Sequence, residues 1–332
     1  MSSSKNTQES DKLIAGEDYP QTYREFVEMF PDDKSCREFL YKLRWDNKFI
    51  CPKCEVSSKE VWHQTHKRLV CPNCRHQTTV TAETIFDKTR TPLTTWLEVA
   101  WHITTAKNGM SAKTIEQTLG ISYQTAWTIL QRFRVAMVHT QREKLSGRVE
   151  IDETLVGGVD VGGKRGRGSK KSIVVIAVEL KEPKGFGRTR MRFIPDASSD
   201  SLIDFINDVV QSGSTICTDG WNGYNELKSL EYNHEVTVVS HSNDQAHTSM
   251  PGVHRIASLL KRWLLGTHQG LFSQDHLQSY LEEYTFRFNR RKSKIRGLIF
   301  RRLLEQAVAT PPVTKKDVTY GYDWKERLGG AN

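Results

Sequence analysis

An α+β/α/β multidomain chain is predicted by three features of the sequence. Two C-x-x-C cysteine pairs stand sixteen residues apart near the start. A helix–glycine–helix pattern fills the middle. A succession of alternating and wholly apolar segments then reads as strands interleaved with helices, the signature of a mixed sheet with helices on its faces. The 332 residues suffice for two or three domains, each with its own core.

Residues 1–18 are polar and Ser-rich at the start, and are expected to form a disordered tail. They lack the apolar stretch of a secretory signal. From Thr22 to Trp45 apolar residues recur at helical spacing, first Phe26, Met29 and Phe30, then Phe39, Leu40 and Leu43. Pro31-Asp32-Asp33 between them ends one helix and starts the next.

The cysteine pairs follow, Cys51-Pro52-Lys53-Cys54 and Cys71-Pro72-Asn73-Cys74. Each pair lets two thiolates of one turn reach a single ion, so the four together read as a structural Zn²⁺ site. The stretch between them, with Val61, Trp62 and Leu69-Val70, is long enough for a hairpin. Unrelated buried cysteines or two redox pairs are the alternatives. With six cysteines in the whole chain, four clustered in this pattern favour zinc. The first domain is therefore 19–82, two helices leading into a zinc ribbon at about 49–80. Such modules bind nucleic acid, bind protein or brace a neighbour, so the ribbon alone names no function.

The next region, 83–146, is helical. Ser111 to Leu119 reads as a helix capped by Ser111, Gly120-Ile121-Ser122 as a tight turn, and Tyr123 to Met137 as a second helix carrying Trp127, Ile129, Leu130 and Phe133. That is a helix-turn-helix pattern. An ordinary helical hairpin is the plainer alternative. Arg132 and Arg134 on the second helix favour DNA contact, because such motifs seat that helix in the major groove.

After Gly147 the period changes. Arg148–Val156 alternates with Val149, Ile151 and Leu155, Ser172–Leu180 is strongly apolar, and Arg188–Ile194 alternates again. A helix is expected at Leu202–Val210, short strands at Thr215–Cys217 and Glu235–Val239, and closing helices at Val253–Leu265 and Ser273–Arg290. These make a domain at 147–305. The remainder, 306–332, contains Pro311-Pro312 and reads as a C-terminal tail.

Two aspartates in this domain invite chemistry. Asp152 lies in the middle of the first strand and, by alternation, on the face opposite Val149 and Ile151. A carboxylate there loses hydration unless something compensates, and a metal ion is one such compensation. Asp219 follows the strand Thr215–Cys217 at its C-terminal end, where sites on open α/β sheets lie. Either alone is more often a turn or cap residue. As a pair on one sheet they can share divalent cations, the arrangement that serves two-metal phosphoryl transfer. His254 and Lys261, seven residues apart, lie on one side of the helix near 254. His254 could ligate a metal and Lys261 hold a phosphate. A histidine on a polar helix surface is the plainer reading.

Composition narrows the partners. Forty-eight Lys and Arg against thirty-nine Asp and Glu give a net charge of +9, which favours a polyanion such as nucleic acid. No apolar stretch of membrane-spanning length occurs, so no membrane partner is expected. Cys36 and Cys217 outside the ribbon form no disulfide framework, and a reducing, cytoplasmic setting fits.

Taken in order, these blocks resemble bacterial insertion-sequence transposases that join an N-terminal zinc ribbon to a DDE-type, RNase H-like integrase domain. The resemblance covers about residues 20–305. It rests on Cys51/Cys54/Cys71/Cys74, on Gly120 to Trp127, on Val149-Glu150-Ile151-Asp152-Glu153-Thr154, on Thr218-Asp219-Gly220 and on Val253-His254-Arg255. Leu260 to His268 and Phe286-Arg287-Phe288-Asn289-Arg290-Arg291 complete it. It implies Asp152 and Asp219 as the first two catalytic acids and Lys261 as the lysine two helical turns beyond the third position. That third position, Glu in many relatives, is His254 here, thirty-four residues separating it from Asp219. The resemblance implies Mg²⁺ or Mn²⁺ at the catalytic site, the imidazole favouring manganese. It further implies transposon terminal inverted repeats and target DNA as partners, a homo-oligomer on DNA, and a bacterial, nucleoid-associated, cytoplasmic setting. The basic loop Lys164–Lys171 and the run Arg287–Arg291 are expected to bind phosphates. A non-catalytic DNA-binding regulator derived from a transposase, and an RNase H-like nuclease that cuts without joining, are the rival functions.

Overall fold

The computed structural model describes residues 13–46, 48–59, 62–65 (backbone alone), 67–139, 141–157, 171–237, 250–270 and 272–324. All but Lys171 of the expected basic loop Lys164–Lys171 lies outside them. In chain order the elements begin with α1 (Tyr23–Met29), α2 (Asp33–Trp45), β1 (Phe49–Ile50), β2 (Ser57–Ser58), β3 (Trp62–Thr65), β4 (Arg68–Val70) and β5 (Gln77–Thr78). Then come α3 (Leu93–Thr105), α4 (Ala112–Leu119), α5 (Tyr123–Ala136), β6 (Arg148–Val156), β7 (Ser172–Leu180), β8 (Phe186–Ile194), α6 (Ser199–Val209) and β9 (Thr215–Thr218). A 3₁₀ segment (Asn222–Ser229), β10 (Asn233–Val236), α7 (Pro251–His268), α8 (Gln274–Asn289), α9 (Arg296–Ala309) and α10 (Lys315–Tyr320) complete the chain. They fold as two units, 1–107 with 293–311, and 108–292 with 312–332.

In the first unit α1 and α2 start at side-chain caps. Thr22 Oγ1 accepts the Glu25 amide at 3.1 Å for α1, and Asp32 Oδ1 accepts the Ser35 amide at 2.8 Å for α2. The predicted break at Pro31-Asp32-Asp33 is thus the cap of α2. Phe300 of α9 is fully buried, with ring centroids 5.7 Å from Phe26, 5.9 Å from Phe30 and 5.8 Å from Trp101. These aromatics form the core of the unit, each burying apolar area and adding edge contacts. Residues 293–305, read from sequence with the sheet domain, therefore fold with the N-terminal helices instead. The start of the described chain is tied down as well. Asp18 accepts from the Ile14 amide at 2.8 Å and Lys42 Nζ at 2.7 Å, and Arg301 lies 3.5 Å away.

The second unit holds a five-stranded mixed sheet in the order β10-β9-β6-β7-β8. Strands β6, β9 and β10 run parallel, whereas β7 is antiparallel to both β6 and β8. This mixed sheet with helices is consistent with an RNase H-like domain. The apolar run of β7 reflects burial of both faces. Val174, Ile176 and Val178 pack with Val253, Ile256 and Leu260 of α7 and Leu281 of α8. Val175 and Ala177 pack with Leu202, Phe205 and Ile206 of α6 and with Tyr224. Strands β6 and β7 occupy the residues their patterns predict. The expected strand at Glu235–Val239 begins two residues earlier, and its last two residues lie outside the described ones. Beyond Thr310, where a tail is expected, α10 forms under a reciprocal cap between Thr314 and Asp317, with Val318 buried.

Strand β8 is an edge, and α8 closes it. The Thr189 amide donates to Asn289 Oδ1 at 2.8 Å, and Asn289 Nδ2 donates to the Thr189 carbonyl at 3.1 Å. Gln278 likewise accepts from the Phe193 amide at 2.9 Å and donates to the Met191 carbonyl at 3.2 Å. Two side-chain amides thus occupy the hydrogen-bonding groups of an otherwise open strand.

Candidate active site and metal centre

The ribbon sequence folds into two turns of the same design. The Glu55 amide donates to the Cys51 carbonyl at 2.9 Å and the Cys51 amide to the Val56 carbonyl at 3.2 Å. In the second turn the Arg75 amide donates to the Cys71 carbonyl at 3.0 Å and the Cys71 amide to the His76 carbonyl at 2.9 Å. Glu55 and Arg75 both adopt left-handed backbone, φ 57° and 61°, which curls each turn around its thiols. All four Sγ atoms lie within 4.8 Å of one another, with Cys51–Cys74 at 3.6 Å and Cys54–Cys71 at 3.7 Å. Tetrahedral Zn–S bonds of ~2.3 Å place sulfurs ~3.8 Å apart, so the donor set fits zinc in both chemistry and spacing. The Val56 amide, then Asn73 Nδ2, donate toward Cys54 and lower its thiol to about 6, which favours the ligating thiolate.

In the parallel β6–β9 pair the register is Arg148↔Thr215, Val149↔Ile216 and Glu150↔Cys217. Asp152 stands on β6 two residues past the last pair, and Asp219 follows the end of β9 at Thr218. The charges of both carboxylates reach buried Tyr224. Val149, Ile151 and Ile216 point into the core under α6. Alternation therefore turns Glu150 and Asp152 toward the α7 face. The Glu153 amide donates to Asp152 Oδ1 at 2.8 Å, and the Trp221 amide to Asp219 Oδ1 at 3.0 Å.

Helix α7 supplies the other two predicted residues. His254 sits in its first turn, with Nδ1 3.9 Å from Asp152 Oδ2. Lys261 is two turns further along. Burial and the charge of Lys171 lower its pKa, and the charge of Asp152 works against that, so Lys261 shares the field of the same carboxylate. Asp152 and His254 are thus brought together, with Lys261 in the field of Asp152, while Asp219 lies just past the end of β9. Among the described residues the four thiols are the only three or more such donors all within 4.8 Å of one another. The carboxylate–imidazole site is wider and more open.

Two neighbours were not picked out from sequence. Tyr224 is almost fully buried and donates its hydroxyl to Glu153 Oε1 at 2.8 Å. Burial and then Glu153, with Asp152 and Asp219 behind it, hold its pKa well above the ordinary phenol value, so it stays a proton donor. Glu150 is 3 % exposed, and its Oε2 accepts the Val253 amide at 2.9 Å. Burial raises its pKa, while the amides of Val253 and Gly252 pull the other way. The signal for Glu150 was present, since it precedes Asp152 by two and so shares its face.

Two family models match the chain. An ISXO2-like transposase domain matches residues 144–289, and a transposase zinc-ribbon domain matches residues 31–78. The chain thus carries an ISXO2-like transposase domain preceded by a transposase zinc-ribbon domain, the two parts the sequence resemblance implies. All four thiols fall in the second match, and Asp152, Asp219, His254 and Lys261 in the first. No curated protein matches the chain. Transposase and zinc-ribbon domains imply DNA as the partner, and no described helix is long and apolar enough to cross a membrane.

Two expected DNA contacts are corrected. Arg134 of α5 is 1 % exposed and pairs through Nε with Glu283 Oε2 of α8 at 2.8 Å, so it serves the core. Arg132 beside it is half-buried. In the run Arg287–Arg291, Arg291 donates to the Gly187 and Phe288 carbonyls and lies 3.9 Å over the Phe288 ring. Arg290 donates to the Phe286 carbonyl and lies 3.8 Å over its ring. These guanidinium groups brace the end of α8.

Proposed function

We propose that the chain is a DNA transposase that cuts transposon ends and transfers the 3′-hydroxyl strands into target DNA. The observation that best supports this reading is the 3.9 Å approach of His254 to Asp152 within the matched transposase domain, with Asp219 just past the end of the neighbouring strand β9. Within a family whose domains act on DNA, two carboxylates and an imidazole so arranged suit a divalent-metal site. The Asp152–His254 separation of 3.9 Å lies within the ~3–4.2 Å expected between two ligands of one ion bound at ~2.1 Å. Mg²⁺ or Mn²⁺ bound there would supply activation of the attacking oxygen and stabilisation of the leaving one.

The chain's own residues do the rest. The Glu153 amide fixes one oxygen of Asp152 and leaves the other facing His254. Tyr224 holds the Glu153 side chain on the opposite face, which steadies the strand where Asp152 stands. Lys261, exposed on α7, meets a DNA phosphate and holds the scissile strand against the acids. Helices α4 and α5, joined through left-handed Gly120, act as the helix-turn-helix. The exposed start of α5 at Ser122, Tyr123 and Gln124, not its buried C-terminal half, enters the groove of the terminal repeats. Two transposon ends must meet, so the active form on DNA is a homo-oligomer, working on the bacterial nucleoid in the cytoplasm.

The test is incubation of purified protein with DNA carrying the repeats that flank its gene, in Mg²⁺ and separately in Mn²⁺. Wild type, Asp152→Ala and His254→Ala are compared for 3′-end nicking and strand joining. Joined products that vanish with Asp152→Ala support the transposase. Nicking without joining indicates a nuclease, and repeat-specific binding without cleavage indicates a regulator.

A further inference from the structure

We propose that Glu150 is a positioning residue for the catalytic centre, a latch that ties the start of α7, and with it His254, to the strand bearing Asp152. The proposal rests on the transposase reading for its consequence in catalysis and on geometry alone for the latch.

Helix α7 begins without a side-chain cap of its own. Met250 stands at the cap position and Pro251 opens the first turn. A proline there has no amide to satisfy, but the amides of Gly252 and Val253 need acceptors. The Val253 amide is served by Glu150, which reaches across from β6 to place Oε2 at 2.9 Å. A carboxylate at a helix N-terminus also meets the positive end of the helix dipole. The approach is close enough that a side chain at position 252 must displace either the Glu150 carboxylate or the start of the helix. A Cβ on Gly252 would lie 2.7 Å from Glu150 Oε2 and 3.2 Å from Leu180 Cδ2.

This arrangement explains the pattern Val149-Glu150-Ile151-Asp152. The two acids share one face of one strand, two residues apart, and divide the work. Asp152 points at His254, and Glu150 grips the amide of Val253, which immediately precedes it in the helix. The strand is paired on both sides at Glu150, to Cys217 and to Val178, so the grip has a rigid base. The next residue is His254 itself, and any slide or fray of the first turn moves its imidazole relative to Asp152. Glu150 is buried, lies behind the site and touches no DNA-accessible surface, so it acts through His254 and not on substrate.

Three full-length variants test the latch, each by end-cleavage kinetics and by amide hydrogen exchange across residues 251–256 without DNA or metal. Glu150→Ala should lower kcat about a hundredfold, the scale of a misplacement of about 1 Å, with KM for DNA within about twofold. Exchange in the first turn of α7 should rise about tenfold or more. Glu150→Gln keeps a carbonyl acceptor and should retain kcat to within about fivefold. Gly252→Ala keeps the carboxylate but forces it and the helix apart, and should reproduce the Glu150→Ala kinetics; it decides the matter if Glu150→Ala does not fold. Wild-type kcat and protected amides in Glu150→Ala would overturn the latch. So would a Gly252→Ala protein indistinguishable from wild type. If the wild-type protein cleaves no DNA, the functional reading fails while the exchange data still decide the latch.

Discussion

Replacing Arg134 by alanine separates two roles that a basic residue on this helix could have. Its side chain is 1 % exposed and that of Glu283 is fully buried, with Nε 2.8 Å from Oε2 and the guanidinium carbon 4.2 Å from the Tyr280 ring centroid. Alanine leaves the Glu283 carboxylate in a dry core with no compensating charge, which costs about 3–5 kcal/mol. For a unit of this size each kcal/mol moves Tm by roughly 2–4 °C, so a loss of roughly 10 °C is expected. Burying the pair has a defect of its own, because Arg134 Nη1 and Glu283 Oε1 find no hydrogen-bond partner among the described residues. The double replacement Arg134→Met with Glu283→Leu should therefore recover most of the stability, or exceed it. Urea and thermal melts of the two single variants and the double variant measure this directly. The salt dependence of DNA binding by the folded Arg134→Met/Glu283→Leu protein should keep its wild-type slope. An Arg134→Ala protein of wild-type stability whose slope drops by about one charge would refute the burial argument and restore Arg134 as a phosphate contact.

Burial, and then the charge of Arg134, lower the His268 pKa from 6.5 to about 4. Between those values the unfolded chain binds more protons than the folded one, so stability is full above about pH 6.5 and falls with pH; unfolding at pH 5 should show about 2 kcal/mol less than at pH 7, and His268→Phe should flatten that slope. Chelation, or Cys51→Ser, should remove one zinc per chain and abolish exchange protection across 49–80, as read by metal analysis and hydrogen exchange. Asn289→Ala should destabilise the second unit by about 1–3 kcal/mol and promote concentration-dependent association, since it bares the amide of buried Thr189 on the β8 edge, while the Thr189 carbonyl keeps Arg190 Nη1.

Local pattern made much of this molecule legible. The period of β6, the apolar run of β7, the Ser111 cap and the paired cysteines are all short-range signals, and each stands where the sequence puts it. Asp152 could be assigned a face by alternation, but the neighbouring of its strand with the one that Asp219 follows rests on the β6–β9 register, a pairing across more than sixty residues that no local pattern encodes. The arginines show the converse limit. Arg134, Arg290 and Arg291 look alike in sequence to phosphate-binding residues. Their fate depends on a carboxylate from another helix, an aromatic face or a carbonyl at a strand edge. Helix α9 could not be assigned to a unit from its own residues, because Phe300 finds its core among Phe26, Phe30 and Trp101 at the far end of the chain.

The central claim is that Asp152 and Asp219 form one catalytic centre. It is tested most directly by the rates of transposon-end cleavage for Asp152→Asn, Asp219→Asn and the double variant, with repeat binding measured alongside. Each single change is expected to abolish cleavage, the double to be no worse than either, and repeat binding to persist in all three. Cleavage that survives Asp219→Asn while Asp152→Asn abolishes it would contradict the shared site.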